Sequence, residues 1–275
     1  MTTTAPPARR ARHTLGAEDL AAYRAAARTR LPAATTAAPS PAQPFVLAHT
    51  LAQQSVADLT AGDAGFTGVV HLGQEIRTHH RLSPATTVLV EVALTAVRRE
   101  ARGTRLALAT RISDDTRGTL LAELSTAALL VGVTTLEPFG APAPAAHPGT
   151  TADTEALTLT HTLTRADVAA YAHASGDLNP IHLDDTAARA AGFPGVIAHG
   201  MHLVALAAEE ITDRHAGGDP ARITALGARF AAPLAPGAAL RLTLQPYDRA
   251  TVVRFSVATD TGTAVKAGWA TLAGE

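Results

Sequence analysis

The chain has 275 residues, which is enough for two domains of about 120–150 residues each. It contains no cysteine and only one lysine, which excludes thiol nucleophiles, disulfides, cysteine-based zinc sites and a P-loop lysine. A formal net charge of −1 argues against a nucleic-acid binder, while a hydrophobic share of 47% predicts a packed core rather than a disordered chain.

The N-terminal segment 1–44 lacks a clear periodic pattern. It carries three arginines near its start, one weakly amphipathic helix candidate between Gly16 and Arg30, and a stretch rich in Pro, Ala and Thr at 31–44. We therefore expect 1–44 to be a tail or a docking arm. The first 15 residues contain no apolar signal-peptide region, and no run of 18 apolar residues occurs anywhere, so we expect a cytoplasmic protein without a membrane span.

Two longer bodies follow, at 45–136 and 155–275, joined by a Pro- and Ala-rich linker at 137–154. Each body begins with an apolar helix candidate and continues with strands in which apolar and polar residues alternate. The bodies also align at an offset of 152 positions. This alignment pairs Arg77 with Arg229, Leu82 with Leu234, Pro84 with Pro236, Val88 with Leu240 and Val90 with Leu242.

The alignment favours an internal duplication. His49 and His199 are expected to open the two equivalent helices. The second of these helices, at 199–211, is apolar nearly all round, which is typical of a helix buried on most sides. A sheet wrapped around one helix is a hot dog arrangement. We therefore predict an α+β fold, a double hot dog with one antiparallel sheet around a central helix in each body.

The densest polar cluster lies between Tyr171 and Gly200. A Thr164-x-x-Asp167 start signal predicts a helix to about Ala174, and Ser175-Gly176 should end it. A turn built by Asp177, Asn179 and Pro180 then leads to His182. A second short helix is expected from Asp184 to Ala191, ahead of the buried helix.

This cluster resembles the MaoC-like hydratase/dehydratase family, which includes the R-specific enoyl-CoA hydratases. The motif reads Gly176-Asp177-Leu178-Asn179-Pro180-Ile181-His182, then Asp184, Ala190, Gly192-Phe193 and Ile197-Ala198-His199-Gly200. The match is ordered and nearly gap-free over about 30 residues, and the second body fits the family's fold. The first body lacks the motif, so we expect a degenerate hot dog there and a catalytic one at 155–275.

The resemblance implies reversible hydration of trans-2-enoyl thioesters, or dehydration of (R)-3-hydroxyacyl thioesters, carried by CoA or an acyl-carrier protein. Asp177 and His182 would handle one water, Asn179 would hold the Asp177 carboxylate, and the Gly200 N–H at the helix start would stabilise the thioester oxyanion. Ser175, Phe193, Ile197 and His199 are candidate substrate-binding residues. The sequence leaves open which of Asp177 and His182 takes which proton. No metal or other cofactor is expected.

Several alternatives stay open from the sequence alone. The enzyme could instead be a hot dog thioesterase, or the chain could bind acyl thioesters without turnover inside a biosynthetic assembly. Ser175 could reach the site or only end its helix. His199 and His202 could be metal ligands, although no third ligand is evident at suitable spacing. Two fused hot dogs mimic a dimer, so the chain could act as a pseudo-dimeric monomer or form a homodimer.

Overall fold

The computed structural model describes residues 6–274, which form one ten-stranded antiparallel sheet with five α-helices. The strands are β1 Arg9–Thr14, β2 Gly68–Thr78, β3 Thr87–Glu100, β4 Gly103–Asp114, β5 Leu120–Val131, β6 Leu157–Thr162, β7 Ile223–Phe230, β8 Ala239–Tyr247, β9 Val252–Thr259 and β10 Gly262–Leu272. The helices are α1 Ala17–Ala27, α2 Gln43–Thr60, α3 Arg165–Ser175, α4 Asp185–Ala190 and α5 Gly200–His215.

The sheet is built from two halves with the same strand order. The order across it is β1-β3-β4-β5-β2-β7-β10-β9-β8-β6, so each half runs from its first strand at the outer edge to its second strand at the centre. The halves join through an antiparallel β2–β7 pair, with Gly73 opposite Arg229 and Arg77 opposite Ala225. The repeated order confirms the predicted double hot dog and its α+β class.

The helices lie against this sheet, one long helix in each half. In α5, all twelve residues from Met201 to Thr212 are buried, and the helix packs on β7, β9 and β10. Helix α2 packs on β1, β3, β4 and β5 of the other half. The prediction that His49 opens α2 is wrong, because α2 begins at Gln43 and carries His49 on its second turn.

The prediction that 1–44 is a tail or a docking arm is wrong for residues 9–27, which are part of the fold. Residues 1–5 lie outside the described part of the chain, but from Arg9 onward the segment forms the first strand and helix of the N-terminal hot dog. Strand β1 pairs with β3 along its whole length, and α1 buries Leu20 and Tyr23 while packing against α3 and α5. The N-terminal half therefore begins with β1 rather than at residue 45.

The segment at 137–154 contains no helix or named strand and is bonded to both halves. The Ala146 N–H donates to the Glu75 carboxylate on β2, and the Arg254 guanidinium on β9 donates to the carbonyl oxygens of Pro148 and Gly149. The segment is thus a connection fixed along its path. Among residues 6–274, no helix has both the length and the apolarity to span a membrane.

Candidate active site

Local turn chemistry places Asp177 and His182. The predicted capping box at Thr164 and Asp167 starts α3, and Gly176 follows the helix with a φ of 72°, a left-handed conformation that glycine adopts without strain. The Asp177 N–H then donates to Ser175 Oγ at 3.3 Å. The Asn179 side chain accepts from the Ile181 N–H and starts a 3-10 turn over Pro180–His182. The turn therefore brings Asp177 and His182 to the same side of the chain.

The hydrogen bonds of His182 fix its tautomer. Its Nδ1 lies 2.8 Å from the carbonyl oxygen of Ile197, so Nδ1 carries the proton and donates it. Burial lowers the pKa of His182 below its ordinary value, although the bond to Ile197 partly opposes that shift. His182 is therefore neutral at pH 7, and Nε2 is left as a proton acceptor.

Asp177 is a carboxylate in a largely buried environment. Burial alone would raise its pKa, but the neighbouring imidazoles of His49, His199 and His182 outweigh burial and hold the pKa well below its usual range. The Asn179 backbone N–H also faces Asp177 Oδ1 at 3.4 Å. At neutral pH the site therefore presents an ionised carboxylate beside a neutral imidazole.

His199 contacts both His182 and Asp177. Its ring stacks on His182 with centroids 3.7 Å apart, and its Nε2–H donates to the Asp177 carbonyl oxygen at 3.0 Å. Burial, together with the charge of a protonated His182, lowers the pKa of His199 to about 3, so this ring stays neutral. The Tyr171 ring packs against His199 from α3, at a centroid distance of 5.1 Å. These contacts fix the ring plane behind the Asp177–His182 pair.

Ligand atoms of Asp177, His182 and His199 lie within 4.8 Å of one another, which is close enough to hold a cation. Two of the four ring nitrogens, His182 Nδ1 and His199 Nε2, are however engaged with carbonyl oxygens. A metal ligand set would have to use the remaining nitrogen of each ring. The donor set therefore fits proton handling better than tight metal binding.

Gly200 is the first residue of α5, where a helix N–H has no partner within the helix and the helix dipole favours negative charge. The Phe230 ring at the end of β7 lies directly against Gly200. A Cβ built at Gly200 would be 2.5 Å from Phe230 Cδ1, so any other residue would force this ring to shift. The same ring packs on His71, with centroids 4.6 Å apart. An aromatic wall thus borders the helix start.

The remaining residues predicted for the site make mainly backbone contacts. Ser175 is buried at the end of α3, and its hydroxyl is bonded to the backbone at Ala172 and Asp177. Asn179 touches the Asp177 carboxylate through its backbone N–H, whereas its side chain caps the 3-10 turn. Ile197 contributes its carbonyl oxygen to His182. Phe193 is half-buried in the turn after α4, where its N–H bonds to Ala188.

Three residues at the site were not predicted. His49 Nε2 lies 3.4 Å from Asp177 Oδ1, and His71 on β2 lies close to His49 and Asp177. Phe230 borders Gly200. His49 and His71 belong to the N-terminal half, so spacing within the motif carries no information about them. The signal that was available is a histidine among apolar residues, in Val46-Leu47-Ala48-His49 and in Val69-Val70-His71.

The comparisons with known proteins agree with this architecture. Residues 145–267 match the MaoC-like domain model. The chain is 33% identical over 181 residues to 3-hydroxyacyl-thioester dehydratase Y of Mycobacterium tuberculosis, an alignment covering 62% of this chain and 60% of that protein. The chain thus spans less than two thirds of that relative's length.

Two solved structures show the fold. A MaoC-like dehydratase from Phytophthora capsici superposes with a TM-score of 0.77 at 19% identity, covering 98% of this chain and 96% of that one. A Mycobacterium tuberculosis protein described as having a double hot dog fold superposes with a TM-score of 0.63 at 15% identity, covering 98% and 96%. The motif from Gly176 to Gly200 lies inside the matched domain. Residues 145–267, which hold this motif, therefore match the MaoC-like domain.

Proposed function

We propose that the protein is a hydro-lyase that reversibly hydrates trans-2-enoyl thioesters to (R)-3-hydroxyacyl thioesters. The observation that carries the proposal is the pairing of ionised Asp177 with the free Nε2 of neutral His182, both in contact with His199, the residue before Gly200. The similarity to a protein named as a 3-hydroxyacyl-thioester dehydratase supports the same class of substrate.

The protonation states constrain the mechanism. Both Asp177 and His182 are proton acceptors at neutral pH, and neither begins as a donor. In the hydration direction a water held between them gives a proton to one of the two, and its oxygen bonds to C3. The pair then delivers that proton to C2, so one water supplies both the hydroxyl group and the new C–H bond.

Charge develops on the thioester oxygen while C3 is attacked. The free N–H of Gly200, at the positive end of the α5 dipole, is placed to stabilise it. Dehydration follows the same steps in reverse. Because the thioester itself activates C2, the steps are complete with the chain's own groups and one water.

The test is turnover of crotonyl and longer enoyl thioesters, offered on CoA and on an acyl-carrier protein. We expect loss of enoyl absorbance without release of free thiol. Asp177→Asn and His182→Ala should each reduce turnover at least about 100-fold, the usual scale for an acid–base group. Near wild-type hydration by both variants would overturn the proposal.

Two other outcomes would point to the remaining alternatives. Release of free thiol, with the enoyl group intact, would indicate a thioesterase. Tight binding of acyl thioesters of every chain length without turnover would indicate a non-catalytic binding protein. Circular dichroism of the two variants serves as the control for folding.

A further inference from the structure

Helix α2 of the N-terminal half brings a histidine to the catalytic turn of the other half. His49 Nε2 lies 3.4 Å from Asp177 Oδ1, and the exposed fractions of the two side chains are only 12% and 15%. Within residues 6–274, His49 Nε2 has no hydrogen-bond partner of good geometry. The contact to Asp177 is therefore a close polar contact rather than a well-formed hydrogen bond, and Asp177 is the acidic group that this buried nitrogen faces.

The C-terminal half on its own holds the Asp177 carboxylate weakly. Among the described residues of that half, the hydrogen bond to this carboxylate comes from the Asn179 backbone N–H, at the long distance of 3.4 Å. In the part of the chain that the structure describes, the polar contacts of this carboxylate both fall on Oδ1, one from Asn179 and one from His49. Oδ2 is left for water and substrate, so the orientation of the carboxylate depends on His49.

Neighbouring rings hold His49 in this position. Phe45, one turn earlier on α2, lies 5.1 Å from the His49 ring and stacks on His71 at 5.8 Å. Burial, and then the charge of a protonated His49, lower the pKa of His71 to about 4. His71 is therefore neutral at pH 7 and does not compete with His49 for the carboxylate.

We propose that His49 is a positioning residue for Asp177: its imidazole holds Oδ1, so that Oδ2 faces the reacting water. This inference rests on the function proposed above. It also makes the active site a joint product of both halves, because the half without the motif supplies a residue that the catalytic turn requires.

The test compares His49→Leu, which removes the contact, with His49→Gln, whose amide can still donate to Oδ1. We expect the leucine variant to lose about tenfold in kcat with KM changed less than about threefold, equivalent to one pKa unit of interaction. The glutamine variant should recover most of that loss. If kcat recovers in the glutamine variant but not in the leucine variant, His49 acts by its polar contact with Asp177 and not only by filling space.

A second readout is the pH dependence. The ionisable groups that face Asp177 are His49 from α2, His71 from β2, Tyr171 from α3, His182 from the 3-10 turn and His199 ahead of α5. Of these, His49 lowers the pKa of both Asp177 and His182. Its removal should therefore raise both, and shift the acid limb of kcat/KM to higher pH by about one unit.

The Asp177 titration can also be followed directly, by NMR of carboxyl-labelled aspartate. This measurement needs no turnover, so it remains decisive if no thioester is hydrated and the proposed function itself fails. His79→Leu is the matched control: His79 follows β2, its Nε2 lies 3.1 Å from the Glu123 carboxylate, and its side chain is 40% exposed. His79 is not among the groups that shift the pKa of Asp177. An unchanged Asp177 pKa in folded His49→Leu, or equal kcat losses in the leucine and glutamine variants, would overturn the inference.

Discussion

At Gly200, a packing contact and the proposed catalytic role both restrict the side chain. In the proposed mechanism its N–H must stay open to a substrate oxygen, yet the Phe230 ring fills the position that a Cβ would take. Glycine satisfies both needs, because it lets the ring close the wall without covering the helix start. The position is therefore doubly constrained, and the two constraints can be separated by mutation.

Gly200→Ala should reduce both stability and turnover. The added methyl group overlaps Phe230, and overpacking of this kind costs about 1–3 kcal/mol. In the double variant Gly200→Ala/Phe230→Leu, urea unfolding should show that most of the lost free energy of unfolding returns. Turnover should stay low, because the methyl group still crowds the N–H. If the single variant is as stable and as active as the wild type, Gly200 is not constrained in this way.

At the same scale, the site shows what the sequence could and could not predict. Asp177, His182 and Gly200 lie within 24 positions and are placed by local signals, namely a capping box, a glycine stop, an Asx turn and a helix start. The motif therefore located them. His49 and His71 reach the site only because β2 and β7 pair and α2 packs nearby. Those contacts join residues more than 100 positions apart, and no local pattern encodes them.

At the scale of elements, α1 is held on α5 by a buried ion cluster. The Arg28 guanidinium lies 2.9 Å from Glu209 and 2.7 Å from Asp213, and Arg24 lies 3.0 Å from Glu209. Glu209 is fully buried, and in the described part of the chain its ion-pair partners are Arg24 of α1 and Arg28 directly after α1. Arg24 also donates to the carbonyl oxygens of Thr36 and Ala38, which fixes the chain after α1.

Arg28→Met should destabilise the fold by about 3 kcal/mol, since removal of one partner leaves a buried carboxylate undercompensated. Arg12→Met is the matched control, because Arg12 also forms an arginine–carboxylate pair, with Asp115 at 2.9 Å, but its side chain is 67% exposed. The control should change the free energy of unfolding by less than about 1 kcal/mol. Equal effects in urea unfolding would show that α1 is not anchored through this cluster.

The role of α1 was missed in the sequence for a specific reason. His13-Thr14-Leu15 and Tyr23 repeat as His161-Thr162-Leu163 and Tyr171 at an offset of 148, not 152. The connection between the early helices and the later strands differs in length between the halves, so a single offset aligned only the strands. The period-2 patterns of β3, β4, β5, β8, β9 and β10 were strong enough to be predicted without that alignment.

At the scale of the whole molecule, the two halves share equivalent positions, but they differ at the position where the motif begins. Tyr23 and Tyr171 occupy equivalent positions on α1 and α3, and their hydroxyl groups form a buried hydrogen bond of 3.1 Å between the halves. Beyond this point the halves diverge. At the same offset, Arg28 stands opposite Gly176 and Thr29 opposite Asp177. The N-terminal half uses this position to anchor α1, and the C-terminal half uses it for the turn that carries Asp177 and His182.

Three histidines in the interior, His71, His199 and His202, have lowered pKa values. Burial is the main cause that lowers the pKa of His71 to about 4, of His199 to about 3 and of His202 to about 4. The unfolded chain would bind these protons with pKa values near 6.5. Unfolding therefore takes up protons as the pH falls from about 6.5 toward 4. Stability is complete above that window and is lost within it.

Each of the three histidines should cost about 2 kcal/mol of stability at pH 5 relative to pH 7.5. Substitution of His202 measures its part of the pH-dependent loss of stability. His202 is fully buried and stacks on Tyr171 with centroids 4.4 Å apart. His202→Phe keeps the stack but cannot be protonated. Urea unfolding at the two pH values should show a pH-dependent loss smaller by about a third, and exposed His80→Phe should leave it unchanged. A His202→Phe variant with the full wild-type loss would mean that the acid sensitivity arises elsewhere than in the buried histidines between the two hot dogs.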